Sequence, residues 1–230
     1  MKPAAIAALF LLAAPAGAAE RNYSVTSFNR IRIDGPYQVV LKTNVAPFAR
    51  ASGAQASLDG VSIKVEGRTL IVRANTSGAW GGYPGEGRGP VTIELGTHEL
   101  STAWVNGAGS LAIDKVKGLS FDLSIQGPGT MRIDSADVDQ LRVGLSGAAS
   151  TRLAGRALKL NATVRGTSSL DAEALAVKDA VIGAEGPVLV RASVSGTAKV
   201  DALGLASVVL AGAPSCTVKT QGSATVSGCR

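Results

Sequence analysis

Three carboxylates recur at one offset from a repeated glycine, and their spacing is the strongest suggestion of chemistry in the chain. Seven positions after successive glycines stand Asp114, Asp134 and Glu173. A stacked row of carboxylates would bind calcium through its oxygens, or supply the acid and base of a glycosidase. Ala154 interrupts the row at the same offset. This interruption favours turn residues that make local hydrogen bonds.

Other residues with catalytic or binding chemistry are sparse. Arg132 and Arg152 share an offset, which fits either a basic strip or an ordinary solvated face. His98 and Glu99 are neighbours, but adjacent residues on a strand point to opposite faces. The chain contains no G-x-S-x-G phrase around a nucleophile. We therefore expect a protein that is not an enzyme, with a polysaccharide lyase or glycosidase on the same fold as the alternative.

Aromatic side chains are the better candidates for binding. Trp80 and Tyr83 lie in a glycine-rich segment, residues 77–90, and Trp104 lies near the first regular repeat. Their flat faces would stack on sugar rings or anchor a protein partner, although each would also serve to pack its own segment. The expected partner is an envelope polysaccharide or a surface protein, and the sequence predicts neither a cofactor nor a metal.

The charge of the chain does not indicate a nucleic-acid partner. There are 23 Lys and Arg against 17 Asp and Glu, and the basic residues are scattered. Binding to single-stranded nucleic acid also needs aromatic platforms, whereas aromatic residues make up only 4% of the chain. Nucleic acid is therefore not an expected partner.

A glycine phrase repeats through the second half of the chain, as in NGAGS, QGPGT, SGAAS and RGTSS. Its glycines are nineteen or twenty residues apart: Gly107, Gly127, Gly147, Gly166 and Gly186. A period of this size is the signature of a solenoid, and we expect these glycines to mark turns. The phrase then recurs at Gly196, Gly212 and Gly222, in steps of ten, sixteen and ten. Either the phrase now marks two corners of a coil, or the coils become narrower.

Short alternating runs such as FDLSI separate the glycines and predict strands of four to seven residues with one buried face. Stacked coils would pair these strands in parallel about 4.8 Å apart. Earlier runs, namely FNRIRID, YQVVLKT, VSIKVEG, TLIVRAN and VTIEL, predict strands that form an N-terminal cap. The expected coil interior is continuous, because no single coil buries its apolar face alone.

The N-terminus predicts export. Lys2, the apolar run that follows it and the small residues up to Ala19 are typical of a signal peptide cleaved near Ala18 or Ala19. The expected organisation is a signal peptide (1–19) and one domain (20–230), in which 27–95 form the cap and 100–230 the regular coils. No second long apolar stretch follows, so we expect no transmembrane segment in the mature chain and a periplasmic or cell-surface location.

The two cysteines, Cys216 and Cys229, lie close to the C-terminus. In an oxidising compartment they are expected to form a disulfide, since a metal site needs more ligands than two thiols. The bond would protect the last coil, whose open edge would otherwise invite association. We expect a monomer, or weak self-association through the coil ends.

The opening FNRIRIDGPYQVVLKT, the pair VSIKVEGRTLIVRA and the glycine phrases together resemble the bacterial family called putative auto-transporter adhesin, head GIN domain. The resemblance extends from Phe28 to Ser227. It implies an all-β fold, a right-handed single-stranded parallel β-helix with coils of about 20 residues, exported to the periplasm or cell surface. The family has no established catalytic residues or ligand, so its name implies adhesion only.

Overall fold

The protein is a β-solenoid of about six turns, with coils of roughly 20 residues, which confirms the predicted fold class. The computed structural model describes residues 19–75 and 89–230. The predicted signal peptide therefore lies almost wholly outside the described residues, and Ala19 already begins a strand.

The described residues form seventeen strands and one short helix. In chain order they are β1 (Ala19–Tyr23), β2 (Arg30–Asp34), β3 (Gln38–Lys42), β4 (Phe48–Gly53), α1 (Gln55–Asp59), β5 (Val61–Glu66), β6 (Thr69–Ala74), β7 (Thr92–Gly96), β8 (Thr102–Asn106), β9 (Ser110–Gln126), β10 (Thr130–Ser146), β11 (Ser150–Arg165), β12 (Ser169–Glu185), β13 (Leu189–Val194), β14 (Thr197–Gly204), β15 (Ser207–Ala211), β16 (Ser215–Gly222) and β17 (Thr225–Ser227).

Strands β9 to β12 are 16 or 17 residues long, whereas the sequence predicted strands of four to seven. In β10, buried and outward residues alternate along three stretches, and the alternation changes phase between Ile133 and Ala136 and between Val138 and Leu141. The strand bends at each phase change. Parallel pairing with the neighbouring coils is interrupted there for one or two residues and then resumes. One bent strand thus forms three sides of a coil, and each side is a short alternating run.

Stacking these sides gives the solenoid three faces. Face 1 contains β7, β3, residues 110–113, 130–133, 150–153 and 169–172, β13, β15 and β17. Face 2 contains 115–118, 135–138, 155–157 and 174–177. Face 3 contains β6, β2, β8, residues 121–126, 140–146, 159–165 and 179–185, β14 and β16.

The corner between face 3 and face 1 is built on the repeated glycines. All five predicted turn glycines have a positive φ; Gly147, for example, has φ +94°. A Cβ at Gly147 would also lie 3.1 Å from the Cα of Gly127 in the coil before it. Left-handed backbone and close stacking together explain why each coil has glycine at this corner.

The later coils narrow, and a second glycine corner appears. Gly204 and Gly222 continue the first corner at steps of eighteen residues from Gly186, each with positive φ. Gly196 and Gly212 stand at a different corner, where a Cβ would meet the carbonyl groups of Lys178 and Val194. Both interpretations of the irregular steps are therefore correct, because face 2 shortens while faces 1 and 3 continue.

The two ends of the solenoid are closed differently. At the N-terminal end, antiparallel strands cover the sheet edge: β4 pairs with β7 and β1, and β5 pairs with β6. At the other end β16 and β17 each pair with one earlier strand, β14 and β15. The predicted disulfide between Cys216 and Cys229 is present, and the Arg230 amide donates to the Pro214 carbonyl. The last coil is thereby closed covalently.

One continuous core runs through all coils. It is aliphatic apart from a few aromatic residues, of which Phe121 is fully buried. The inward side chains of successive strands stack on one another, so each coil buries its apolar side against two neighbours. Outward residues are stacked in regular columns over this core. Each strand contributes one residue to a column, and successive residues of a column are about 4.8 Å apart.

Candidate functional site

Face 1 carries an open groove of about 540 Å³ that crosses seven strands, from Thr92 on β7 to Leu189 on β13. At six strand spacings, this is roughly 29 Å. One column in the groove consists mainly of short hydroxyl side chains: Thr92, Ser110, Thr130, Ser150 and Ser169. The Ser169 hydroxyl donates to that of Ser150 over 3.1 Å. Four of these residues, Ser110, Thr130, Ser150 and Ser169, lie three positions after a corner glycine. This constant offset is the signal by which the sequence alone could have predicted the column.

The next column of face 1 contains the predicted basic strip. Arg132 pairs in register with Arg152, and Arg152 with Asp171. Asp171 is in turn level with Arg191, so the groove is lined by three arginines and one carboxylate. Arg152 donates to Asp171 over 3.1 Å across neighbouring coils, while Arg132 pairs with Asp134 within its own strand. The exposed guanidinium groups are held beside the hydroxyl column and retain donors for a ligand.

The carboxylates aligned in the sequence do not form a joint site. Asp114 accepts a hydrogen bond from the Thr43 amide at 3.0 Å and another from the Lys115 amide, as a turn residue does. Asp134 is paired with an arginine, and Glu173 lies 4.0 Å from Arg191. The pairing register skips one residue at Glu173, which takes it out of line with Ala154. No cluster of three metal-ligating side chains occurs in residues 19–75 and 89–230.

His98 and Glu99 lie in the turn between β7 and β8, rather than on a strand. The Glu99 carboxylate is 3.3 Å from Arg68, and both side chains are exposed. His98 and Glu99 line a small surface cavity together with Lys115 and Lys117. The structure shows a charged turn here.

Of the predicted aromatic residues, Trp104 is described by the structure, whereas Trp80 and Tyr83 lie outside the described residues. Trp104 is half-buried at an outward position of β8, between the buried Ala103 and Val105. It is level with Arg32 on one side and Ser124 on the other. The flanks of the glycine-rich segment, Asn75 and Gly89, hydrogen-bond near α1 at the N-terminal end. The structure thus places Trp104 on face 3, away from the groove.

Among the described residues, three carboxyls on the solenoid surface have a lowered pKa. Hydrogen bonds from the hydroxyl and amide of Thr197, at 2.6 and 3.0 Å, lower the pKa of Asp179. A hydrogen bond from Arg156 lowers the pKa of Asp137. Partial burial raises the pKa of Asp34, but hydrogen bonds from Arg32 and Asn106 outweigh it and the net shift is downward. These groups are stabilised as anions, opposite to the requirement for a general acid at neutral pH.

Acid should therefore weaken the contact between Asp179 and Thr197, which joins neighbouring coils. A carboxyl with a lowered pKa contributes stability above its unfolded-state pKa of about 3.9 and loses it as pH falls through the folded-state value. We expect Asp179→Asn to flatten the fall in melting temperature below about pH 4. Thermal unfolding between pH 7 and pH 2 measures this, and an unchanged slope in the variant would contradict it.

The fold defines the class of the protein: it is a β-solenoid with aligned columns of outward side chains and an open groove along one face. The chain belongs to the family described as putative auto-transporter adhesin, head GIN domain, whose model matches residues 27–214. This confirms the resemblance stated from the sequence.

Solved structures with the same fold include proteins from Bacteroides and Parabacteroides species. A putative adhesin from Bacteroides fragilis has a TM-score of 0.81 at 16% identity, covering 92% of this chain and 97% of its own. A putative lipid binding protein from Parabacteroides distasonis has 0.71 at 16% identity, covering 92% and 96%. A putative adhesin from Parabacteroides merdae has 0.67 at 16%, covering 92% and 95%. At this identity the likeness shows a shared fold.

A comparison with curated proteins gave no match. Within residues 19–75 and 89–230, no helix is long and apolar enough to cross a membrane.

Proposed function

We propose that the protein is an exported, adhesin-like binding module of the cell envelope, and that the groove of face 1 binds an extended acidic polysaccharide. The observation that carries this proposal is the pairing of two columns, one mainly of hydroxyls and one rich in arginine, along the solenoid axis. The adhesin names of the family and of two structural relatives support the general class. The disulfide and the N-terminal segment support export.

The groove suits a linear polymer because its chemistry repeats on most strands. A polysaccharide lying along the axis would meet a hydroxyl on five of the seven strands of the groove, with Gln38 and Leu189 at the other two. On the four strands β10 to β13 it would also meet a charged group. Ser150 and Ser169 donate or accept hydrogen bonds with sugar hydroxyls. Arg132, Arg152 and Arg191 outnumber the single carboxylate in the lining, so an acidic sugar is favoured over a neutral one.

A carbohydrate-active enzyme on the same fold is the competing function. Such an enzyme needs two carboxyls that converge on one bond, one of them kept protonated. Asp171, the carboxylate in the lining of the groove, is paired with Arg152, and Asp114 nearby accepts a hydrogen bond from Thr43. This arrangement favours a binding module that acts without catalysis, as a monomer or with weak self-association.

The first binding prediction concerns the arginine column. We expect wild-type protein to bind polygalacturonate or alginate, and Arg132→Gln with Arg152→Gln to weaken binding at least about tenfold. Two charge-assisted hydrogen bonds at about 1.5–3 kcal/mol each support that factor. Biolayer interferometry against the immobilised polysaccharide, at two salt concentrations, measures it.

The matched control is Arg68→Gln with Arg156→Gln, since both are exposed, ion-paired arginines away from face 1. Equal weakening by the two double variants would contradict a site on face 1, and so would absence of binding by the wild type. Prolonged incubation tests the competing function, because new reducing ends or unsaturated products would demonstrate cleavage.

A further inference from the structure

Two glycines on face 3 have no structural reason to be glycine. Gly144 and Gly183 lie inside β10 and β12 without a positive φ. A Cβ at Gly144 would come no nearer than 3.6 Å to another atom, and one at Gly183 no nearer than 3.9 Å. Every other strand glycine in the described chain has a positive φ, or a Cβ position within 3.0 Å of an atom. Glycine weakens a strand interior and is often found where a ligand approaches the backbone.

Both glycines belong to a column of face 3 in which Arg32 precedes Trp104 and Asp201 follows Gly183. Trp104 is level with Ser124, and Ser124 with Gly144. Gly144 is level with Thr163, and Thr163 with Gly183. We call these five residues the trough, because its members after the tryptophan are small or lack a side chain. It is about 19 Å long, at four strand spacings.

The columns beside the trough are polar apart from the exposed Val181 next to Gly183, and at the five levels of the trough they carry no net charge. On one side Arg142 is paired with Asp122 at 3.1 Å, and on the other Arg165 is paired with Glu185 at 3.1 Å. Asn161 and Gln126 add amide groups to the two sides, which both donate and accept hydrogen bonds. The trough differs from the groove of face 1, whose lining holds three arginines and one carboxylate, although each of those arginines also has a carboxylate within 4.0 Å.

We propose that the trough is a second binding site, for a neutral linear oligosaccharide. The exposed part of Trp104 stacks on one sugar ring, since aromatic faces pack against apolar sugar surfaces. The following sugars lie directly on the backbone at Gly144 and Gly183, where side chains would hold them away. Amide, hydroxyl and ion-paired groups at the sides bind the sugar hydroxyls. This site lies on another face and does not depend on the groove.

The test fills the trough without damaging the fold. Gly144→Val and Gly183→Val, singly and together, should leave the melting temperature equal to or above that of the wild type, because valine suits an extended strand and has room here. The same variants should weaken oligosaccharide binding more than tenfold. Ala176→Val adds the two γ-methyl groups of valine at an outward position of face 2 and should leave binding unchanged.

The probes are neutral hexasaccharides of β-1,4-glucan, β-1,3-glucan and β-1,4-mannan. The chain has two tryptophans, so in a Trp80→Phe background the fluorescence reports Trp104 alone. We expect at least one probe to shift this fluorescence in a saturable way, and the shift to disappear in the valine variants. Failure of all three probes to bind would overturn the proposal, and so would unchanged binding by folded Gly144→Val, Gly183→Val protein. The arginine variants of face 1 should bind the hexasaccharide normally, which separates the two sites.

Discussion

Gly155→Val is expected to lower the free energy of unfolding by about 3 kcal/mol or more. Gly155 occupies the first bend of β11 with φ +115°, and a Cβ there would overlap the backbone carbonyl and amide of Ala136. The clash is with main chain, so no side-chain rotation relieves it. Neighbouring coils would have to separate at a point where the pairing register already skips a residue. Thermal unfolding should show a fall of about 6 to 12 °C.

Gly144→Val is the matched control, since Gly144 is also a strand glycine of the same region but has room for a side chain. The pair isolates local backbone geometry from the general effect of adding valine to a strand. Equal melting temperatures for the two variants would show that the overlap at Gly155 is relieved at little cost, contrary to our expectation.

Removing the disulfide should open the last coil while the rest of the solenoid remains folded. Cys216 and Cys229 close a segment of 13 residues, for which loss of the crosslink costs about 3 kcal/mol. Strands β16 and β17 each pair on one side, and most of their side chains are exposed, so little else holds them. In a solenoid this cost stays local, because each coil contacts only its neighbours.

Hydrogen exchange measures this effect better than a global melt. In Cys216→Ser with Cys229→Ser, the amides of β16 and β17 should exchange about a hundredfold faster, which corresponds to about 3 kcal/mol of lost protection. The amides of β10 and β11 serve as the internal reference and should be unchanged. Unaltered protection of β16 would mean that hydrogen bonding alone secures the coil.

The regular coils could be predicted from sequence because their determinants are local. Gly147, for example, is required at its corner because its backbone has a positive φ, and the period of such glycines is visible in the sequence alone. The alternation of β10 likewise reports which residues are buried. The disulfide followed from the proximity of two cysteines in an exported chain.

Other features depend on register, which spacing alone could not supply. The skip at Glu173 moved a carboxylate out of a row that looked aligned by counting from glycines. The sequence also does not distinguish Gly155, whose backbone and close neighbours require glycine, from Gly144, which has room for a side chain. The antiparallel strand β4 and helix α1 were not predicted, because their short segments carry little periodicity. A binding role for Trp104 stays a prediction, and its neighbours in the trough become visible only when the coils are stacked.

Because each end of the solenoid is closed by its own elements, the number of middle coils could change during evolution without altering either end. The antiparallel strands at one end and the crosslinked coil at the other contact only the coils beside them. Duplication of a whole coil such as residues 127–146 would leave both ends intact, and would lengthen the groove and the trough by one strand spacing, about 4.8 Å. Partial duplications would break the register of every column at once. Proteins that descend from such a gene would therefore differ in the length of the groove and the trough by whole coils.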